Sequence, residues 1–262
     1  MKIIDWEDYV PNPHGHTVTG NIKIIERFPL PQLNRYRRIW IYLPPGYEQP
    51  EQSYPVLYMH DGQNLFDMAT SYSGEWRVDE SLYRLCTENR TNGAIVVGID
   101  NGATVRFDEY IPGYSGDKYA AFIVDTLKPF IDSKFRTLPD RYNTGTAGSS
   151  LGGLISLYMG FTRPDVFSRI GAFSPAMHFA GDCLNGWCKE DDMRIYLDVG
   201  TKELLSYNSA REYADFVWDS YYRLICAGFS QEEVKLIIEK DAEHNEADWA
   251  RRFPEAFLWL FG

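Results

Sequence analysis

The spacing of apolar positions changes several times along this chain, and each change marks an element. Thr17 to Phe28 alternates loosely between apolar and polar residues, as a half-buried strand does. Arg38-Ile39-Trp40-Ile41-Tyr42-Leu43 is a denser run, stopped by Pro44-Pro45-Gly46. Pro55 to Met59 is a short buried-strand candidate ended by His60-Asp61-Gly62, and Ala94 to Ile99 is continuously apolar, the mark of a strand covered on both faces. Between them Val78, Leu82 and Leu85 share one helical face, so Trp76 to Cys86 predicts a helix. Ile123, Leu127, Phe130 and Ile131 align over Lys118 to Phe135, where Pro129 should kink the helix or start a new turn. Further strands are predicted at Asn143 to Ala147, Ile170 to Ser174, Ile195 to Gly200 and Val234 to Glu239. Helices alternate with them: one after Leu151, one over Ala210 to Leu224, and a last one carrying Trp249, Phe253, Phe257 and Leu260. An antiparallel-looking start followed by β-α alternation predicts an α/β fold, with an open, mostly parallel central sheet and helices on both faces, in a single domain over residues 1–262. In such sheets reactive groups gather at the carboxyl ends of the strands.

One of those ends carries Gly148-Ser149-Ser150-Leu151-Gly152, a G-x-S-x-G pattern between a predicted strand and a predicted helix. A tight strand-to-helix turn holds a serine hydroxyl proud of the fold, and the flanking glycines let the backbone bend sharply. The helix that follows aims its N-terminus at charge developing on an acyl intermediate. Ser150 is therefore the candidate nucleophile. A nucleophilic serine needs a base, and the base an orienting acid, in the chain order serine, acid, histidine. Only His178 and His244 follow Ser150; His244 sits just past the last predicted strand, where a base can reach over the serine, and His178 reads as a cleft or surface residue. For the acid, Glu203 follows the strand Ile195 to Val199, with Asp198 inside that strand as the alternative; Asp241 is too close to His244 in sequence. Oxyanion donors are expected from the backbone N–H groups of Leu151 and Gln63, the latter aimed inward by a turn at Gly62. Asp61, Trp76 and Trp187 are the substrate-binding candidates, with Tyr72 and Tyr114 as further aromatic loop residues.

Bulk properties narrow the partners. A net charge of −11 repels phosphate backbones and anionic lipid surfaces, which argues against nucleic acid and membrane and for a small-molecule substrate. The N-terminus turns acidic at once and lacks the apolar core of a signal peptide, so a cytoplasmic location is expected. Cys86, Cys183, Cys188 and Cys226 fit no zinc spacing; Cys183 and Cys188 could bridge in an oxidising compartment, with free thiols the default. His14-Gly15-His16 reads as an exposed leader, and the glycines around Ser150 match neither a dinucleotide nor a phosphate loop. No metal or cofactor is called for.

Several stretches together carry a resemblance: His60-Asp61-Gly62-Gln63-Asn64-Leu65-Phe66, Glu75-Trp76-x-Val78-Asp79-Glu80, Gly148-Ser149-Ser150-Leu151-Gly152-Gly153, Gly200-Thr201-x-Glu203 and His244-Asn245-Glu246-Ala247. From about Asn21 onward the chain resembles the putative-esterase family of α/β-hydrolases, which includes esterase D, enterochelin-esterase-like proteins, and feruloyl and acetyl-xylan esterases. The resemblance implies an α/β-hydrolase fold with a small or absent cap over His178 to Asp192. It also implies carboxylic-ester hydrolysis with Ser150, Glu203 and His244 in the triad places. A short-chain or aromatic acyl ester of a sugar or polyol is the expected substrate. Acyl transfer to an alcohol acceptor, or cleavage of a siderophore trilactone, are the alternatives.

Overall fold

In the computed structural model, residues 5–11, 14–181, 187–189, 192–203 and 210–262 are described. Their strands are β1 (Glu7–Asp8), β2 (Asn21–Leu30), β3 (Arg35–Leu43), β4 (Val56–His60), β5 (Ile95–Ile99), β6 (Thr144–Ser149), β7 (Arg169–Phe173), β8 (Arg194–Lys202) and β9 (Val234–Glu243). They form one sheet in the order β1-β2-β3-β5-β4-β6-β7-β8-β9. The first pairings, out to β3 against β5, are antiparallel, and everything from β5 to β9 is parallel. From β4 the chain goes to β5 on one side, then returns to β6 on the other. Strand order reverses there, and the loops after β4 and β6 open a crevice at their carboxyl ends.

Helices cover both faces. Helices α1 (Val78–Thr87) and α7 (Glu246–Phe261) pack on one face through Val78, Leu82, Leu85, Trp249, Phe253 and Phe257. The other face takes α2 (Arg106–Tyr110), α3 (Gly116–Phe122), α4 (Lys128–Lys134), α5 (Leu151–Thr162) and α6 (Ala210–Cys226). Every residue of β4 and β5 is buried, which is why those strands read as unbroken apolar runs. Pro129 does start a new turn: a π-helical turn over Ile123–Leu127 precedes α4, and Pro129 falls in its first turn, where no N–H is required. Helix α2 was not expected, because five residues are too few to display a period. Strand β9 runs past its predicted end to Glu243, paired with Lys202, and so delivers His244 to the carboxyl edge of the sheet. Among the described residues no helix is long and apolar enough to cross a membrane. Cys86 and Cys226 are free thiols; Cys183, and with it the pairing considered for Cys188, lies outside the described residues.

The N-terminal segment is tied down by buried carboxylates. Tyr9 Oη donates to Asp67 Oδ2 at 2.8 Å, and His16 Nδ1 lies 2.6 Å from the same oxygen. Thr17 Oγ1 donates to Glu75 (2.8 Å) and the Thr19 N–H to Asp79 (2.6 Å). Burial pushes the Glu75 carboxyl up to about 7, and burial together with the adjacent Glu80 pushes Asp79 up to about 9. Both therefore keep a proton in the folded protein at pH values where the unfolded chain has lost it. Unfolding then releases protons, so this region loses stability as pH rises from the ordinary carboxyl range through the folded values. Asp79→Asn keeps an acceptor for Thr19 and removes the ionisation. Urea denaturation from pH 5 to pH 9 should show a flatter decline for Asp79→Asn than for the wild type; parallel curves would show that Asp79 is already ionised.

Candidate active site

Ser150 stands alone between β6 and α5 with φ 56° and ψ −121°. A non-glycine residue in such a conformation costs on the order of 1–3 kcal/mol and persists only when its surroundings enforce it. Here the Ser150 N–H donates to Phe173 O at 2.9 Å, and its carbonyl accepts from Ala176 (2.9 Å) and Leu154 (3.1 Å). Helix α5 also lies so close to β6 that a Cβ on Gly148 would meet the Gly152 carbonyl carbon at 2.9 Å. The glycines of the motif are thus demanded by the approach of helix to strand.

The loop after β4 faces this elbow. Its left-handed residue is Asp61 (φ 58°), so the expected turn at Gly62 is made one residue earlier. Gly62 serves a different need: a Cβ there would sit 2.7 Å from Gly98 C and Ile99 N of β5. Among the described residues the backbone N–H groups of Gln63 and Leu151 have no protein acceptor. The Gln63 side chain is held by the Asn101 N–H, which donates to Oε1 at 3.1 Å. Asp61 is gripped by Arg106 through two bonds of 2.7 and 2.8 Å and by Asn101 Nδ2 at 2.7 Å. Burial alone would raise its carboxyl; the Arg106 charge and these donors outweigh burial and hold it below the usual carboxylate range.

His244 Nδ1 lies 2.5 Å from Glu203 Oε2. Glu203 is buried, and its other oxygen accepts from Ser174 Oγ (2.6 Å) and the Gly200 N–H (2.7 Å). Burial opposes ionisation of Glu203, but His244, Ser174 and Gly200 together bring the carboxyl below its ordinary value. Asp198 is directed elsewhere: its carboxylate accepts from the Ser174 N–H (2.9 Å) and pairs with Arg252 Nε (2.9 Å). Burial, partly offset by Arg252, pushes Asp198 up to about 7. His178 lies against Tyr213, itself 5.5 Å from the His244 ring, with ring centroids 5.6 Å apart.

A cleft of about 300 Å³ brings Ser150, His244, Gln63 and Asp61 together with Asn64, Tyr72, Ser73, Asn101, Arg106, Glu246 and Trp249. Two expected substrate residues lie elsewhere. Trp76 is 2% exposed and packs on Phe173, Trp249 and Phe253, because the apolar face of α1 must close that side of the sheet. Trp187 stacks on Phe161 at 4.1 Å, eleven residues and about 16 Å along α5 from Ser150. Tyr114 is exposed and packs against Phe107. Ser174, Arg106 and Asn101 were not expected at the site, and Asn64 and Glu246, though within the motifs that carry the resemblance, had no role assigned to them. Ser174 carried one faint signal, a polar residue directly after an apolar strand next to β6; the others acquire their place only through tertiary contacts.

A family model described as "Putative esterase" matches residues 31–260. An uncharacterized protein YbbA of Bacillus subtilis is 26% identical over 243 residues, covering 86% of this chain and 93% of that one. An endo-1,4-beta-xylanase/feruloyl esterase of Xylanibacter ruminicola is 25% identical over 228 residues, 84% of this chain and 29% of that protein. Among solved structures, the enterobactin esterase FES of Shigella flexneri superposes with a TM-score of 0.72 at 18% identity, over 97% of this chain and 60% of that one.

The placement of the aromatics separates stability from recognition. Trp76→Ala should lower unfolding free energy by about 3–5 kcal/mol, as truncation of a fully packed aromatic does. Tyr72→Ala, at the cleft rim, should leave the melting temperature within error and raise KM. Thermal melts and ester kinetics on both variants check this, and a KM effect without destabilisation at Trp76 would return it to the substrate site.

Proposed function

The chain belongs to the putative-esterase family, and on that premise we propose that it is a serine carboxylic-ester hydrolase working through an acyl-enzyme. One observation carries the reading. The serine on the strained β6–α5 turn shares a cleft with a histidine whose Nδ1 is engaged by a buried, ionised carboxylate. With Nδ1–H donating to Glu203, Nε2 of His244 is the free base. It takes the proton of Ser150 as Oγ attacks the ester carbonyl. The oxyanion so formed accepts from the Gln63 and Leu151 N–H groups, which have no acceptor among the described residues; losing such a donor costs about 3 kcal/mol of transition-state stabilisation. His244 then returns the proton to the departing alcohol, and water, activated the same way, releases the acid. No residue in this sequence of steps requires a metal.

The cleft favours small, polar esters. Its walls carry Asp61, Gln63, Asn64, Asn101, Arg106 and Glu246, with Tyr72 and Trp249 as the flat surfaces. Such a lining suits hydroxylated alcohols and short or aromatic acyl groups better than a long chain. The strong negative charge of the molecule disfavours an anionic lipid interface. A feruloyl esterase and an enterobactin esterase are among the similar proteins, in agreement with an ester substrate.

Ser150→Ala should fold normally and lose ester hydrolysis by roughly three orders of magnitude or more; retention of about a tenth of the rate would remove Ser150 from the chemistry. Glu203→Gln should lower kcat far more than Asp198→Asn, because only Glu203 touches His244; the reverse order would transfer the role. In a series of p-nitrophenyl esters, kcat/KM should peak near two to four acyl carbons and fall by roughly tenfold at about eight. An optimum at eight or longer, or activation by a lipid–water interface, would mark a lipase.

A further inference from the structure

Among the described residues Asp61 and Glu246 line the catalytic cleft and Glu203 stands behind His244; the first and last are committed to partners. Asp61 is saturated by Arg106 and Asn101. Glu203 is taken up by His244, Ser174 and Gly200. Glu246 is different. It lies two residues beyond His244, is 7% exposed and lines the cleft. Asn64 Nδ2 donates to its Oε1 at 3.1 Å, and no other side chain among the described residues donates to it. Asn64 is itself fixed, since its Oδ1 accepts from the Tyr72 N–H (3.0 Å) and its carbonyl from the Trp76 N–H (2.8 Å). On its other side Gly74 packs against the side chain, where a Cβ would stand 3.4 Å from Glu246 Cβ and 3.9 Å from Oε2. With one side-chain donor, the carboxylate keeps acceptor capacity on the cleft, and a largely buried carboxylate gains from each further donor that reaches it.

We infer that Glu246 is a specificity residue that accepts a hydrogen bond from a free hydroxyl on the alcohol portion of the ester. This rests on the esterase reading. His244 must hand its proton to the leaving oxygen, so the alcohol lies on the His244 side of the cleft, and Glu246 borders that side. Burial raises the Glu246 carboxyl against the opposing hydrogen bond of its own backbone N–H, with the charge of Asp61 adding to burial, which suits contact with a neutral hydroxyl. The ligand class is therefore a monoester of a polyol or sugar that retains a hydroxyl near the ester bond.

The test compares glycerol monoacetate, ethyl acetate and acetylcholine, which share an acyl group and differ in the alcohol. Wild-type kcat/KM should favour glycerol monoacetate over ethyl acetate by roughly tenfold, the value of a hydrogen bond to a charged group. Glu246→Gln should reduce that ratio and Glu246→Met abolish it, chiefly through KM, since the contact is made in ground and transition states alike. Equal losses on both esters would overturn the inference and make Glu246 a support for His244. A preference for acetylcholine would also overturn it, because the carboxylate would then be reading charge. Should both variants misfold in thermal melts, the absence of a wild-type preference for the hydroxylated ester is by itself contradictory. Hydrolysis of ethyl acetate with fluorophosphonate labelling of Ser150 reports the esterase reading separately; if both are absent, that reading fails and the inference with it.

Discussion

The buried carboxylate of Glu203 is the constraint around which the site is organised. A charge in that position is tolerated only if both oxygens find donors. Three are supplied, from β8 (Gly200), from the end of β7 (Ser174) and from the end of β9 (His244). Ser174 is in turn held from all sides. Its Oγ accepts from Trp249 (3.0 Å) and Arg252 (3.3 Å) of α7, its N–H is taken by Asp198, and its carbonyl accepts from Tyr213 of α6 (2.7 Å). It adopts φ 39° under these constraints. Asp198 and Arg252, which resemble a catalytic pair by proximity, are better understood as the anchor of this hub. Tyr213 and Trp249 also pack edge-on against the imidazole at 5.5 and 4.9 Å, so two of the residues that hold Ser174 also hold the ring.

The same economy governs the opposite wall. The reversal of strand order between β4 and β6 places two sharp turns side by side, at Asp61 and Ser150, both with left-handed φ. The Ser150 turn is enforced by its hydrogen bonds to Phe173 and Ala176 rather than by its own preference, and next to Asp61 the close approach of Gly62 to β5 fixes the loop. Beside these turns the backbone N–H groups of Gln63 and Leu151 find no acceptor among the described residues. Local strain is thereby concentrated where preorganised donors are useful.

Much of this was legible in the sequence. Fully buried strands announce themselves as apolar runs, and a G-x-S-x-G between strand and helix defines the elbow. Chain order then singles out Glu203 and His244, the residues the structure brings together. What was misjudged has a common physical origin. Period and composition say that Trp76 and Trp187 are large and apolar, but not whether the surface they cover is core or cleft. Gly62 was credited with a turn that Asp61 makes, since aspartate also enters the left-handed region and a glycine can be required for close approach instead. Ser174 and Arg106 gain their roles from partners far away in sequence, and no local pattern encodes those pairings.

The central claim is a covalent acyl group on Ser150. It is tested most directly by mixing the enzyme with p-nitrophenyl acetate, quenching in acid before steady state, and mapping the peptides by mass spectrometry. The acetyl group should appear on the peptide containing Ser150, with a burst of p-nitrophenol matching its amount. Turnover with no acyl adduct, or with the adduct on another residue, would contradict the mechanism.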